Sequence, residues 1–220
     1  MDKQITIAFQ NFWHIGTGIG QGSLVDATIA KDSNGLPYVP GRQLKGLLRE
    51  AVKTLQLSGQ FDTELDPELN IETLLFGSRS QAEDATEGKL ARFETHAGMV
   101  QIGNGELAPE DQKALVSQPE LKTALYPRLY QTAINHDTGT AKRTSLRGQE
   151  VCLPLTLYAP LNWRNRAQDP KISKLQDQLA SHNVCQLVME LACQMLPAIG
   201  ANRTRGLGEV VVTLSDKENK

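Results

Sequence analysis

The sequence predicts an α+β domain built from four β-strands and two main helices. Near the start of the chain, Ile5, Ile7 and Phe9 alternate with polar or small residues, which is the period of a half-buried strand. Near its end, residues 207–214 are rich in β-branched side chains, which favour strands. Two internal segments instead repeat apolar residues every three or four positions, which is the period of an amphipathic helix.

In the N-terminal half, the first strand is expected over residues 3–13 and the first helix over 41–57. The apolar residues of that helix share one face: Leu44, Leu47, Leu48, Ala51 and Leu55. A short helix is expected to end at Phe76, just before Gly77, and a second strand is expected within 89–102 on a mixed pattern.

In the C-terminal half, residues 128–150 are rich in Thr, Asn, Asp, Arg and Gly, a composition typical of a protruding loop or hairpin. The third strand is expected over 151–160, where leucines alternate with other residues. The second main helix is expected over 183–196, with Asn183 able to cap its first turn, and the fourth strand over 207–214.

The order strand, helix, strand, strand, helix, strand is that of a ferredoxin-like (RRM-like) βαββαβ core, although other α+β orders remain open. RRM modules use this topology to present a sheet to RNA. We expect a single domain over residues 1–220, with large insertions that include a protruding thumb hairpin. The insertions are expected at 14–40, 58–88 and 103–150.

The overall charge does not by itself favour nucleic-acid binding. The formal net charge is -2, whereas many nucleic-acid-binding domains are strongly basic. The basic residues are unevenly placed, however, and phosphates respond to local clusters rather than to the total charge. The charge balance therefore permits a basic face without establishing one.

The cysteine content predicts an intracellular protein. Cys152, Cys185 and Cys193 have no zinc-ligand spacing and are expected to be buried thiols of a cytosolic protein. Residues 1–10 contain no signal peptide, and no apolar run approaches the length that spans a membrane. We therefore expect a soluble protein that is located in the cytoplasm.

The first candidate binding element is the loop between the second main helix and the last strand. Its glycines, Gly200, Gly206 and Gly208, allow backbone N–H groups to approach a ligand closely. Arg203 and Arg205 alternate with small residues, so both side chains are expected to point the same way. The loop therefore suits a phosphodiester backbone, and the alternative is a helix-to-strand turn with solvated arginines.

The second candidate element is the start of the first helix. A helix N-terminus exposes unpaired N–H groups and a partial positive charge, and both attract phosphate. Lys45 and Arg49 lie four residues apart on one face, and Arg42 lies one turn earlier. These residues fit RNA binding, but an ordinary solvated basic face explains them equally well.

The third candidate element is the glycine-rich stretch that begins at His14 and leads to Asp26 and Asp32. It joins the first strand to the basic helix, so it must lie near any phosphate bound there. A carboxylate in that position can hold a divalent metal or orient a 2′-hydroxyl. The residues alone favour the simpler alternative, in which Asp26 is a turn residue and His14 a packing or hydrogen-bonding group.

Together these elements resemble the RAMP superfamily of CRISPR-associated proteins. The loop at 200–208 resembles the family's C-terminal glycine-rich loop, and Pro40-Gly41, Leu44-Lys45-Gly46 and Arg49 resemble its N-terminal signature. The similarity is strongest to the repeated backbone subunits of type III effector complexes. In those subunits a His-Ile-Gly segment leads to two aspartates six residues apart, as His14-Ile15-Gly16 leads here to Asp26 and Asp32.

The resemblance implies an endoribonuclease that works within a ribonucleoprotein complex. Asp26 would be the catalytic aspartate, cleaving target RNA with Mg²⁺ or a similar divalent cation whose other ligands are unknown. The implied partners are a guide RNA, a target RNA and other subunits of the effector complex, including neighbouring backbone subunits. The resemblance and the charge pattern together predict the RNA-binding residues His14, Arg42, Lys45, Arg49, Gly200, Arg203, Arg205, Gly206 and Gly208, although Arg42 stands where the family often has a small residue.

Two alternatives keep the same family but change the activity. In the first, the chain is a structural guide-binding subunit without any chemistry of its own. In the second, it is a metal-independent nuclease that processes the guide precursor, with His14 as general acid or base. The family's guide-processing members usually lack the Pro-Gly and Leu-Lys-Gly element that is found here.

Overall fold

The computed structural model describes residues 2–18, 26–61, 70–78, 96–181 and 183–217. In chain order, its elements are β1 (Asp2–Phe9), α1 (Gly41–Leu57), α2 (Ile71–Phe76), β2 (Val100–Ile102), α3 (Pro109–Ser117), α4 (Pro119–Ala124), β3 (Arg128–Gln131), β4 (Arg147–Glu150), β5 (Thr156–Trp163), α5 (Pro170–Ser181), α6 (Val184–Gln194), a 3₁₀ turn (Arg203–Arg205) and β6 (Val210–Asp216).

The centre of the fold is a four-stranded sheet in the order β2-β5-β1-β6. Every neighbouring pair in it is antiparallel. The first strand therefore lies between the third and fourth strands of the core, as the split arrangement of a ferredoxin-like βαββαβ fold requires. The predicted α+β class is confirmed.

One face of the sheet is covered by helices. Ile5, Ile7 and Phe9 alternate along β1 and are buried in the same apolar cluster as Leu44 and Leu48 of α1. Helix α1 also contacts α6 and β2, and α6 contacts β6, so both helices lie on this face. Fully burying a leucine side chain contributes about 2 kcal/mol, and these two leucines anchor α1 to the sheet.

The predicted hairpin is present as a second, two-stranded sheet. Strand β3 pairs antiparallel with β4, from Arg128 opposite Glu150 to Gln131 opposite Arg147. Beyond these strands, residues 132–146 form the rest of the hairpin and are almost entirely exposed. We call the paired end of this hairpin, residues 147–150, its foot, because the foot contacts the rest of the domain.

Several strand boundaries differ from the predictions. The first strand ends at Phe9 rather than at 13, because Trp13 forms only an isolated bridge to Cys152. The third core strand begins at Thr156 rather than at 151, because Pro154 has no N–H and interrupts the ladder between Cys152 and that point. The last strand begins at Val210 rather than at 207, because Gly208 has a left-handed φ of 77° and belongs to the preceding turn. Part of the predicted second strand, residues 89–95, lies outside the described residues.

The helices differ from the predictions at two points. Asn183 does not cap α6 with its side chain, because its own backbone is left-handed, with φ 54°, whereas a capping residue normally has an extended backbone. Helix α5 was not predicted, although Ile172, Leu175 and Leu179 have helical spacing and pack on the core. Among the described helices, none is long and apolar enough to cross a membrane.

Two glycines of α1 provide a matched test of this packing. A Cβ on Gly41 would lie 2.6 Å from the carbonyl oxygens of both Ile102 and Gly103, whereas a Cβ on Gly46 would meet nothing within 4 Å. We predict that Gly41→Ala lowers the free energy of unfolding by about 2 kcal/mol through overpacking. Gly46→Ala should raise it by about 0.5–1 kcal/mol, because alanine favours a helix interior.

Urea unfolding followed by circular dichroism measures both variants. If Gly41→Ala proves as stable as the wild type, the close approach of α1 to the end of β2 is not present in solution.

Candidate nucleic-acid interface

The segment that follows β1, residues 12–17, joins three other parts of the chain. On one side, Trp13 exchanges two backbone hydrogen bonds with Cys152, at N···O distances of 3.1 and 2.8 Å. The Trp13 ring is fully buried, stacks on Phe9 at 4.3 Å between centroids and donates from Nε1 to the Leu153 carbonyl. This side of the segment is therefore attached to the chain that leaves the hairpin foot.

The same segment binds the glycine-rich loop and the stretch after Asp26. The carbonyl of Phe12 accepts from Gly208 N–H, and that of His14 accepts from Ala201 N–H, both at 2.8 Å. The carbonyl of Ile15 accepts from Ala30 N–H at 2.7 Å. Backbone hydrogen bonds thus bring the first and third predicted elements together.

Asp26 lies against the hairpin foot with an exposed side chain. Its backbone N–H donates to the Gly148 carbonyl at 2.8 Å, and its Oδ2 accepts from Gly148 N–H at 2.8 Å. Ala27 continues the contact as a parallel bridge to Gln149. The carboxylate is therefore oriented by backbone contacts, and Oδ1 receives no hydrogen bond from any other described residue.

His14 is buried, with 3 % of its surface exposed. Its Nδ1 lies 2.6 Å from the Glu150 carbonyl oxygen, so this nitrogen must carry the proton and donate. Its Nε2 would lie 2.9 Å from a Cβ on Gly16. The side chain joins the 12–17 segment to the hairpin foot, which is a packing role, and its contact with RNA stays a prediction.

Two of the loop glycines are required by close packing. A Cβ on Gly200 would lie 2.4 Å from the His14 carbonyl oxygen, and one on Gly208 would lie 2.1 Å from that of Ile199. The N–H of Gly208 already donates to the Phe12 carbonyl. It is therefore not free to bind a ligand, contrary to the prediction. Gly206 also has a left-handed φ of 80°, but a Cβ there would meet nothing within 4 Å.

The loop arginines do not point the same way. Arg203–Arg205 is a 3₁₀ turn, in which residues two apart are rotated by about 120° relative to each other. The prediction assumed an extended loop and was wrong on this point. Both arginines are exposed, so both are available to a ligand from different sides of the turn.

The loop also contacts the hairpin foot directly. Asn202, which precedes the 3₁₀ turn, donates from its side chain to Gln149 Oε1 at 2.8 Å. Gln149 is the bridge partner of Ala27, so Asn202, Gln149 and Asp26 lie in one continuous surface. Neither Asn202 nor Gln149 was predicted as a site residue, because a pairing of residues 53 positions apart leaves no local pattern in the sequence.

The N-terminus of α1 is not the open phosphate site that was predicted. The N–H of Gly41 donates to Asn104 Oδ1 at 3.0 Å. The N–H groups of Gln43 and Leu44 donate to the Pro40 carbonyl. Of the three N–H groups that lack an i−4 partner in this first turn, those of Gly41 and Gln43 are thus occupied within the domain. Arg42 contributes the remaining N–H group and its exposed side chain.

Lys45 and Arg49 are partly buried and have partners within the domain. Lys45 donates to the Val100 carbonyl at 3.2 Å, and burial together with the nearby Arg49 and Arg166 lowers the pKa of its ammonium group. Arg49 pairs with Glu72 and donates to the Gly77 carbonyl at 2.7 Å. Their role in RNA binding stays a prediction, and any such contact must compete with these interactions.

The structure separates these two residues from Asp26. Lys45 contacts Val100, which pairs with Trp163 at the end of β5. The Asp26 surface adjoins Cys152, four residues before β5 begins. An eight-residue strand spans about 25 Å, so Lys45 and Arg49 lie toward one end of the sheet and the Asp26 surface toward the other.

No cluster of ligands for a metal ion is preassembled in the described part of the chain, where no three His, Cys, Asp or Glu residues converge. Asp26 offers one exposed carboxylate. Mg²⁺ typically binds through one or two carboxylates together with substrate phosphates and water. The donor set at Asp26 therefore fits a magnesium ion only when RNA supplies the other ligands.

The sequence profile of the RAMP superfamily matches residues 6–211. The chain belongs to the RAMP superfamily. The match includes the glycine-rich loop, the Asp26 segment and the hairpin. No curated protein is similar enough in sequence to match this RAMP protein.

Solved structures share the fold of this RAMP protein. A chain of the type III-B Cmr-beta complex in its apo state has a TM-score of 0.58 and 10% sequence identity, with 97% of each chain covered. A chain of the type III-B Cmr-beta complex bound to cognate target RNA has a TM-score of 0.60 and 11% identity, with the same coverage. At this level of identity, the likeness establishes the fold.

The packing of the glycine-rich loop generates a prediction. Gly206→Ala introduces only an unfavourable left-handed alanine and should cost about 1–2 kcal/mol of stability. Gly208→Ala adds a collision with backbone and should cost at least about 3 kcal/mol. Thermal and urea unfolding of the two variants provide the comparison, and equal losses would show that Gly208 does not pack against the Ile199 backbone as described.

Proposed function

We propose that this chain is a guide-RNA-binding backbone subunit of a type III CRISPR effector complex and that it cleaves bound target RNA at Asp26. Its membership of the RAMP superfamily and its fold likeness to chains of type III-B Cmr-beta complexes support the first part. The complex would contain further subunits, including neighbouring backbone subunits, and would work in the cytoplasm.

The observation that carries the catalytic part is the position of the Asp26 carboxylate. It is exposed, its Oδ2 is oriented by Gly148 N–H, and the surface continues through Gln149 to the arginine-bearing loop. An RNA backbone that contacts either Arg203 or Arg205 would lie next to this carboxylate. A site that combines cationic donors with one exposed carboxylate suits phosphodiester chemistry.

The reaction that fits one carboxylate is attack by a neighbouring 2′-hydroxyl. The O2′ atom attacks the adjacent phosphorus, its proton is lost, and the 5′-oxygen leaves with a proton, which gives a 2′,3′-cyclic phosphate and a 5′-hydroxyl. Asp26 would orient the 2′-hydroxyl or accept its proton, and the loop arginines would stabilise charge on the phosphate. A bound Mg²⁺ would supply Lewis-acid stabilisation of the phosphate oxygens.

The geometry does not favour a metal-independent nuclease that uses His14. The imidazole is buried, and its Nδ1 proton is donated to the Glu150 carbonyl. A general acid or base must reach the reacting oxygen within hydrogen-bond distance. A purely structural subunit would have the same contacts and differs only in the role of Asp26.

The test is cleavage by the complex reconstituted with guide and labelled target RNA. Asp26→Asn keeps an acceptor for Gly148 N–H but removes the charge, and Asp26→Ala removes both. We expect both variants to bind target RNA like the wild type and to cleave it at least about 100-fold more slowly. Asp111→Asn, on the exposed α3, is the matched charge control and should cleave normally.

Cleavage by the wild type should also stop when EDTA replaces Mg²⁺. Normal cleavage by Asp26→Asn would reject catalysis by this residue and leave the structural subunit as the function. Failure of the wild type to bind guide RNA would reject the proposed function as a whole.

A further inference from the structure

A cavity of about 280 Å³ opens beside the hairpin foot, on the Glu150 side. The turn after Lys31 forms one wall, α4 and the residues after it form a second, and the paired ends of β3 and β4 form the third. Lys31, Lys122 and Arg128 line the cavity, together with Tyr126 and Glu150. No residue predicted to act in catalysis or RNA binding lies in this lining.

The lining carries an excess of positive charge. Three cationic side chains face one carboxylate, so the formal excess is two positive charges. A concave site with one sign of charge focuses the electrostatic field and concentrates ions of the opposite sign. This excess arises in a chain whose net charge is -2, so it is not a consequence of a generally basic surface.

Glu150 and Tyr126 hold the Lys31 ammonium group in position without using all of its N–H donors. Lys31 Nζ donates to Glu150 Oε1 at 2.9 Å and lies 3.8 Å from the centre of the Tyr126 ring. Glu150 Oε2 also accepts from Ile29 N–H at 3.1 Å. An ammonium group has three donors, so Lys31 retains further N–H groups for a ligand.

The other two cations are less engaged. Lys122 Nζ donates to the Asn34 carbonyl at 3.1 Å, which leaves two of its three donors. Arg128 is exposed and its guanidinium makes no hydrogen bond or ion pair with another described residue. Burial raises the pKa of the Tyr126 phenol, so it stays neutral while its hydroxyl donates to the Gly35 carbonyl.

The cavity lies close to Asp26 along the same strand. Glu150, at its back, is two residues from Gly148, which binds the Asp26 carboxylate, and two strand residues span about 7 Å. The backbone N–H of Glu150 donates to the carbonyl of Ala27, the residue after Asp26, at 3.0 Å. A polynucleotide lying over Asp26 therefore comes close to the cavity lining.

We propose that this cavity binds a phosphate group of RNA that passes close to Asp26, through Lys31, Lys122 and Arg128. The inference rests on the proposed function and adds a binding site to it. Lysine and arginine side chains bind phosphate, and three of them from three separate segments can contact different oxygens of one phosphate group. The phosphate belongs to the target or the guide strand, and the experiment separates the two.

The experiment compares Lys122→Gln/Arg128→Gln with the wild type in the complex reconstituted with guide RNA. The control, Lys53→Gln/Lys174→Gln, removes two exposed charges from α1 and α5. Guide retention and the affinity for labelled target RNA are measured over a range of salt concentrations. We expect about tenfold weaker target binding at low salt for the cavity variant only. Its salt slope should fall by about 0.7 for each phosphate group that the variant no longer neutralises.

The outcomes separate the possibilities. Loss of guide retention instead of target affinity also supports the phosphate site and assigns it to the guide strand. If both RNA measurements match the control, the proposal is overturned. If, in addition, subunit assembly is impaired, the cavity binds an acidic protein segment instead of RNA. Failure of the wild-type complex to bind RNA would reject the proposed function and is visible separately.

Discussion

The architecture of the candidate site depends on the backbone of residues 12–17. This segment uses its N–H and C=O groups toward three partners: the chain after the hairpin foot, the glycine-rich loop and the stretch after Asp26. Buried backbone groups must find partners, and here two of the three partner segments belong to predicted functional elements. Trp13 anchors the segment in the core, because its ring is fully buried against Phe9 and its Nε1 donates to the Leu153 carbonyl.

In this arrangement, residues of the same type have different structural roles. Gly200 and Gly208 permit close backbone contacts, so their place in the motif is explained by packing, whereas Gly206 only shapes the exposed turn. Among the cations, Arg203 and Arg205 remain exposed, while Arg49 is engaged with Glu72 at the far end of the sheet. A basic residue near a motif is therefore not equivalent to an available ligand, since the domain itself uses some of these charges.

Local patterns in the sequence predict much of the fold. The spacing of Leu44, Leu48 and Leu55 gave the bounds of α1, and the composition of residues 128–150 indicated the hairpin. The site was less predictable, because it depends on contacts between distant segments. Asn202 meets Gln149 and Asp26 meets Gly148 only after the chain has folded, and the cavity at Lys122 and Arg128 has no motif. The 3₁₀ turn at the arginines likewise has no pattern in the sequence that distinguishes it from an extended loop.

The central claim is that RNA lies along the surface that joins the glycine-rich loop, the hairpin foot and Asp26. The most direct measurement is ultraviolet cross-linking of the reconstituted complex, followed by mass spectrometry of the peptides attached to RNA. We expect cross-links in the peptides that contain Asn202–Arg205 and Gln149, with the sheet residues Thr6 and Thr213, on the face away from α1, unlabelled. Cross-links confined to those sheet residues, with none at the loop or the hairpin foot, would contradict the account.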